Sequence, residues 1–396
     1  MTTIRGRADR RVRPSEDRVL KIDVNLTWLA PGRVGGSEEY LCRQLAGLFT
    51  AGAADDLSVR LFCQPSFPLA HPEFDGRAEI ITLPIDRDLR GARIAAENSW
   101  LARHTRGADV VHHGGGTAPV VGSRAILLTV HDLQYLQFPH NFSRARREYL
   151  TRFMPGSVKR ATLVGVPSEF VRGTVIDAFG VDGKRVIVIP HGVPRLDRPG
   201  VDVISAVQTR YGIRGDYVVY PAITHPHKGH SVLVELLAAI ATPSHSLGGL
   251  KLVVVGGEGS AENSFRAAVN SAEVSASVVR TGRIPADHRD ALVAGARALV
   301  FPSEYEGFGA PLVEAMDLGV PVVASDHPAV VEVCGDAAAI VTTRSGDAWA
   351  DAVVTALTRA DELVAAGHAR REAFTLERSG AALAVAYRCV ASGGPT

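Results

Sequence analysis

Cysteine is scarce in this chain: Cys42, Cys63, Cys334 and Cys389 are the four in 396 residues. They lie far apart, with no C-x-x-C pair and no zinc-ligand spacing, so the sequence encodes neither a disulfide scaffold nor a cysteine-held metal. No apolar run approaches the roughly 18–20 residues of a membrane span. The opening stretch MTTIRGRADRRVRPSEDR is charged and has no apolar segment, so it does not read as a secretory signal. Few cysteines and no signal point to a reducing cytoplasm. Neither sign of charge is in excess, with 43 Lys and Arg against 42 Asp and Glu. A dedicated nucleic-acid binder needs a strong basic footprint, so no nucleic-acid partner is expected. The phosphate fingerprints are also missing. There is no G-x-x-x-x-G-K-[ST], and GGEGSAE (256–262) lacks the last glycine of G-x-G-x-x-G, which disfavours NAD and leaves no cofactor expected.

Short Val/Ile/Leu-rich runs are abundant. VLKIDVNLTWL (19–29), LSVRLFCQ (57–64), AEIITLPI (78–85), ADVVHHGGG (108–116), RAILLTVHD (124–132), ATLVGVPSEF (161–170) and RVIVIPHGV (185–193) form one series. DYVVYPAIT (216–224), LKLVVVGGEG (250–259), SVVRTGRIP (277–285), RALVFPS (297–303), PVVASD (321–326) and AAIVTT (338–343) form a second. Continuous apolar runs predict strands buried on both faces, hence parallel sheets covered by helices, and the alternating order predicts an α/β fold. There are too many strands for one Rossmann sheet, and PHGVPRLDRPGVD (190–202) breaks the series. The predicted organisation is a disordered basic lead-in (1–18), an N-terminal Rossmann-like domain (19–195), a C-terminal one (196–378), and a C-terminal helix and tail (379–396) that packs on either domain.

In open α/β sheets ligands bind beyond the carboxyl ends of strands, so the residues after each strand carry the functional reading. RALVFPS is followed by EYEGFGAPLVEAM. Gly307 and Gly309 let backbone amides approach a ligand, and a helix starting near Gly309–Pro311 offers its free N–H groups. Glu306 and Glu314 are each suited to accept from a vicinal diol. The competing reading is a cap at Glu306 and a solvated helical Glu314. HPHKGH (225–230) sets Lys228 before a glycine, where an ammonium meets a phosphate or simply faces solvent. His225, His227 and His230 lack an acidic or cysteine partner nearby, so no metal is expected. GGSEE (35–39) opens a helix and forms a second anion cradle. IDRDL (85–89) spells D-x-D, which is better read as two exposed aspartates flanking Arg87. HHGGG (112–116) looks like an esterase oxyanion segment, but no G-x-S-x-G supplies a nucleophile. His131, at a strand end, faces the cleft between domains. SRARREYLTRF (143–153) places Arg144, Arg146 and Arg147 on a helical surface, either solvated or touching an anionic acceptor or membrane.

Taken together, FPSEYEGFGAPLVEAMDLGVPVVAS (301–325) resembles the signature of retaining, nucleotide-sugar-dependent glycosyltransferases of family 4, the glycogen-synthase-like and bacterial mannosyltransferase-like group with the GT-B fold. HPHKGH, LVVVGG, TGRIPADHRDALVAGARALVFPS and EVCGDAA resemble the rest of that group's C-terminal domain, and GGSEEYLCRQL, TVHDLQYLQFP, VPSEFVRGTV and VIPHGV its N-terminal domain. The resemblance implies two Rossmann-like domains facing across a cleft. It implies that Glu306 and the amides of Gly307, Phe308 and Gly309 hold the donor sugar, that Glu314 holds the ribose, and that Lys228 and the Gly35–Gly36 turn hold the diphosphate. His131 would face the transferred sugar. The family often carries an arginine six residues before the lysine; here that residue is Ala222, leaving Arg283 as a substitute or a looser hold on the diphosphate.

The implied reaction is glycosyl transfer from a nucleoside-diphosphate sugar to an acceptor hydroxyl with retention and without a metal, the leaving phosphate taking the acceptor's proton. Similarity to bacterial polysaccharide mannosyltransferases tilts the donor towards GDP-mannose. It tilts the acceptor towards a surface glycan, lipid-linked or otherwise, with the enzyme cytoplasmic or peripheral at the inner membrane face. A small-molecule acceptor, a non-catalytic sugar-nucleotide-binding relative, and a GT-B epimerase or phosphorylase are the alternatives.

Overall fold

A computed structural model describes residues 18–32, 35–50, 52–84, 90–242 and 245–395. The lead-in up to residue 17 and the D-x-D stretch 85–89 lie outside the described residues. Among the described residues the strands form two parallel sheets. The first has seven strands: β1 (Leu20–Leu26), β2 (Leu57–Cys63), β3 (Glu79–Thr82), β4 (Val110–His113), β5 (Ile126–Thr129), β6 (Leu163–Val166) and β7 (Val186–Val188), in the order β3-β2-β1-β4-β5-β6-β7. The second has six: β8 (Tyr217–Pro221), β9 (Lys251–Val255), β10 (Val278–Gly282), β11 (Ala298–Phe301), β12 (Val322–Ser325) and β13 (Ala338–Val341), in the order β10-β9-β8-β11-β12-β13. All the pairings are parallel, as in β1 with β4, where Ile22 faces Val110, and β8 with β11, where Ala298 faces Val218.

Helices cover both faces, which is why the strand interiors read as continuous apolar runs. β4, β5, β6 and β11 are buried at every residue. Each sheet reverses its winding at one place, between β1 and β4 in the first and between β8 and β11 in the second. These are the topological switch points at which open α/β sheets form a crevice. The glycine-rich turn 35–36 follows β1, and HHGGG closes β4. HPHKGH follows β8, and EYEGFG follows β11. The three loops read as binding segments, and HHGGG with them, therefore stand at the two switch points.

The chain crosses between sheets twice. It leaves β7 through the irregular stretch before the helix Val201–Arg210, and it returns after Phe374 into the helix Leu376–Ala391. The two crossings run together, with Val193 N–H donating to Phe374 O at 2.8 Å. Thr375 caps the returning helix by accepting from Arg378 N–H. That helix buries Leu383, Ala384, Ala386, Tyr387 and Val390 in the core of the first sheet, and Tyr387 Oη lies 2.9 Å from His112 Nδ1. It meets the helix Gly36–Thr50 backbone to backbone at Gly47 and Gly380: a Cβ on Gly380 would lie 2.1 Å from Gly47 C and Leu48 N. Only glycine permits this approach.

Gly380→Ala should therefore cost about 1–3 kcal/mol, the range for overpacking against atoms that cannot retreat. Gly173→Ala, in the helix Glu169–Phe179 with open space around its Cβ position, should be neutral or stabilise by up to about 1 kcal/mol. Denaturant unfolding of the two variants compares them directly. Equal midpoints would show that the helix crossing is not tight.

Candidate active site

Among the described residues, loops and helices from both domains meet where the two crevices face each other. After β11 the chain turns through Pro302–Gly309 and enters the helix Ala310–Asp317. Gly309 starts that helix at φ +99°, a left-handed conformation that favours glycine. Gly307 is required for a different reason. A Cβ there would lie 2.3 Å from the carbonyl oxygen of His131, on the opposite domain, and Gly307 O accepts from Ser168 Oγ at 2.7 Å. The turn is thus pressed directly against the His131 backbone.

Glu306 sits at the head of this turn, with its Oε1 2.5 Å from Lys228 Nζ. Their side chains are 12% and 20% exposed, so the pair is sheltered but reachable. Lys228 ends the short helical turn Pro226–Lys228, and its carbonyl accepts from Tyr220 Oη at 2.9 Å. The strand-end lysine is thus paired with a carboxylate rather than free in solvent.

His131 Nε2 lies 2.8 Å from Gly114 O. A carbonyl only accepts, so Nε2 carries the proton and Nδ1 is left as an acceptor. Burial holds the imidazole down at about 4, against the pull of the Gly114 carbonyl, so the ring is neutral at pH 7. Trp28 and Tyr40 pack against it. Asp132, next in sequence, is pushed up by burial and by Glu306, against the Gln134 amide and the charges of Arg146 and Lys228.

Glu314 is buried on the helix Ala310–Asp317, not a solvated helical residue. Burial pushes its carboxyl up, but Arg289 and Arg43 outweigh that and hold it below the usual range. Arg43 reaches it from the helix Gly36–Thr50 of the other domain. Phe308 is buried, stacked across the seam on His191 at 5.1 Å and edge-on to Phe374 at 5.2 Å. Gly35, at φ +71°, and Gly36 are exposed at the start of the helix Gly36–Thr50. Arg283 donates to Gly32 O at 2.7 Å, which ties the loop after β10 to this glycine-rich turn. Arg283 also lies beside Gly257 at the end of β9, so a cation stands on the same sheet edge as Ala222.

The histidines of HPHKGH have separate hydrogen-bond and packing partners, although the rings of His225 and His227 stack at 5.8 Å. His227 meets Asn141 at 3.0 Å, His225 meets Ser260, and His230 packs between Tyr220 and Phe265. Among the described residues no group of three or more His, Cys, Asp or Glu is placed to hold a metal ion. Arg144 pairs with Glu148 on the surface, and Arg146 lies over the Phe142 ring.

Two family models together match most of the chain: "Glycosyltransferase Family 4" over residues 34–195 and "Glycosyl transferases group 1" over 214–372. The chain belongs to the family 4 glycosyltransferases. It is 26% identical over 255 residues to the O-antigen chain mannosyltransferase B of Escherichia coli, covering 63% of this chain and 65% of that one. It is 30% identical over 222 residues to a GDP-mannose-dependent alpha-(1-6)-phosphatidylinositol monomannoside mannosyltransferase of Mycobacterium tuberculosis, covering 53% and 56%. The chain thus spans less than two thirds of the length of these relatives. A solved structure of Anabaena Alr3699/HepE in complex with UDP and glucose superposes with a TM-score of 0.68 at 20% identity, over 92% of this chain and 98% of that one. At that identity the likeness establishes the GT-B arrangement of two parallel-sheet domains.

Within this family 4 glycosyltransferase, several residues at the seam sit inside the motif segments, which do not disclose their partners. Arg43 and Arg289 converge on Glu314. Tyr305 Oη accepts from Leu133 N–H at 3.0 Å, and Glu332 accepts from the first amides of the helix Glu169–Phe179, Glu169 N–H at 2.7 Å and Phe170 N–H at 3.0 Å. For Arg43 the sequence offers its position four residues after Glu39, a spacing that suggests a local helical pair.

His230 supplies a test of the buried imidazoles. Burial, aided by Arg280 and Lys228, holds its ring down at about 3. The unfolded chain takes this proton near pH 6.5 while the folded one refuses it, so stability from the neutral ring is present above 6.5 and is lost as pH falls towards 3. Between pH 7.5 and pH 5 this ring should cost the protein about 2 kcal/mol. His230→Phe should move stability in the variant's favour by that amount over this interval, measured by denaturant melts at both pH values. An unchanged difference would mean that the ring is not held neutral.

Proposed function

We propose that this chain transfers a glycosyl group from a nucleoside-diphosphate sugar to an acceptor hydroxyl, with retention. GDP-mannose is the favoured donor and a surface glycan or glycoconjugate the acceptor. The observation that carries the reading is the Lys228–Glu306 pair, set at the ends of β8 and β11 with Gly307 pressed on the His131 backbone across the seam. The mannosyltransferase names of the relatives, one of them GDP-mannose-dependent, support the choice of sugar and nucleotide.

In this reading the departing diphosphate is met by the Lys228 ammonium, the amides of the Gly35–Gly36 turn and Arg283. Glu306 and the Gly307–Gly309 amides hold the donor sugar's hydroxyls, and Glu314 holds the ribose. His131 is neutral and accepts a hydrogen bond from the sugar through Nδ1. The C1–O bond to phosphate breaks as the acceptor oxygen bonds to C1 on the same face. A phosphate oxygen takes the acceptor's proton, so no side chain is consumed. Fixed cations and amides aimed at developing phosphate charge lower the barrier without reorganising. The Lys228–Glu306 pair keeps each group in place for the donor.

Incubation with GDP- and UDP-sugars, followed by nucleotide release and thermal shift, tests this directly. Lys228→Ala and Glu306→Ala should each lower transfer by about 10²–10³-fold with the fold intact. Full transfer by either variant, or no stabilisation of the wild type by any nucleotide, would sink the reading.

A peripheral membrane contact is part of the proposal. The helix Arg144–Arg160 presents Arg144, Arg146 and Arg147 near its start and an exposed Phe153, with Leu136 also exposed on a neighbouring turn. Basic residues beside exposed apolar ones suit an anionic bilayer surface. No helix among the described residues is long and apolar enough to cross a membrane. The protein should sediment with phosphatidylglycerol vesicles, and Arg144→Glu/Arg147→Glu should reduce that several-fold. Equal sedimentation of the two would remove the membrane from the proposal.

A further inference from the structure

Arg43 projects from the helix Gly36–Thr50 across the seam and places Nη2 2.8 Å from Glu314 Oε1. The two side chains are 16% and 7% exposed. Glu39, one turn earlier, lies 3.2 Å from the same nitrogen. Two polar atoms are left over at this point. Arg43 Nη1 is buried and has no hydrogen-bond partner. Glu314 Oε2 has Arg289 at 3.9 Å, beyond hydrogen-bond range. A buried donor without an acceptor is costly and calls for an explanation, such as an oxygen of a bound ligand. An orphan guanidinium N–H beside an under-used carboxylate oxygen is complementary to neutral groups that both donate and accept. Vicinal hydroxyls are such groups.

We propose that Arg43 is a donor-binding residue supplied by the N-terminal domain, and that it holds the ribose diol jointly with Glu314. Glu314 Oε2 accepts from one ribose hydroxyl, and Arg43 Nη1 donates to the oxygen of the other. The pair at Oε1 stays intact, which keeps the buried carboxylate ionised while the sugar binds. The ribose is then read by both domains at once. The proposal rests on the reading of Glu314 as the ribose residue.

Calorimetric titration of the full chain with GDP and UDP, their 2′-deoxy analogues and inorganic pyrophosphate tests it. The wild type should prefer a ribonucleotide over its deoxy analogue by ten-fold or more. Arg43→Gln should bind the ribonucleotide at least ten-fold more weakly and lose the preference, while pyrophosphate binding stays at the wild-type level. Arg43→Lys, which keeps the charge but not the two-pronged donor, should lose most of the preference. Arg43→Gln/Glu314→Gln, which leaves no unpaired buried charge, keeps the measurement possible if the single variant unfolds, and should also show no preference. Unchanged or tighter ribonucleotide binding by Arg43→Gln, or a retained preference, overturns the proposal. A wild type that binds no nucleoside diphosphate instead overturns the reading of the whole site.

Discussion

The arrangement depends on one constraint: carboxylates sheltered at a seam between two domains must be met by cations. Glu314 is met by Arg43 from across the seam and Arg289 from its own side, and Glu306 by Lys228. A buried carboxylate left unpaired would take up a proton or stay in water. Glu314 does neither, because two guanidinium groups outweigh its burial. Of these pairs, Arg43–Glu314 crosses the seam and ties the two domains together.

Close backbone approach serves the same end. Gly307 meets His131 across the seam, and Gly47 meets Gly380 where the last helix returns to the first domain. Both contacts need a residue without a Cβ. The polar contacts around them, Ser168 to Gly307 O, Leu133 N–H to Tyr305 and Glu332 to the helix at Glu169, satisfy backbone groups that the seam would otherwise bury unpaired. The interface combines these polar contacts with aromatic ones, Phe138 and Phe170 against the buried Tyr305 and His191 against Phe308.

Much of the fold was legible because its signals are local. Apolar runs without alternation announced parallel strands covered on both faces, and the Pro- and Gly-rich stretch at 190–202 marked the crossing between sheets. EYEGFG after β11 and HPHKGH after β8 were legible as strand-end loops, since glycine and chain order disclose a turn. The partner of each loop was not legible. Nothing in the order of residues states that Lys228 lies 2.5 Å from Glu306, that Phe308 turns inward onto His191, or that Arg43 crosses to Glu314. Arg43 and Glu314 are 271 positions apart, and no periodicity spans that distance.

The sequence by itself determined the strands, their burial on both faces, the two-sheet organisation and the chemistry offered at each strand end. These follow from hydrophobic pattern and backbone freedom, which act over a few residues. Only the tertiary structure decided which ends face one another, which carboxylates are buried, and which cation each receives. Those outcomes follow from sheet winding and domain packing, which bring distant residues within hydrogen-bond range and remove them from water together.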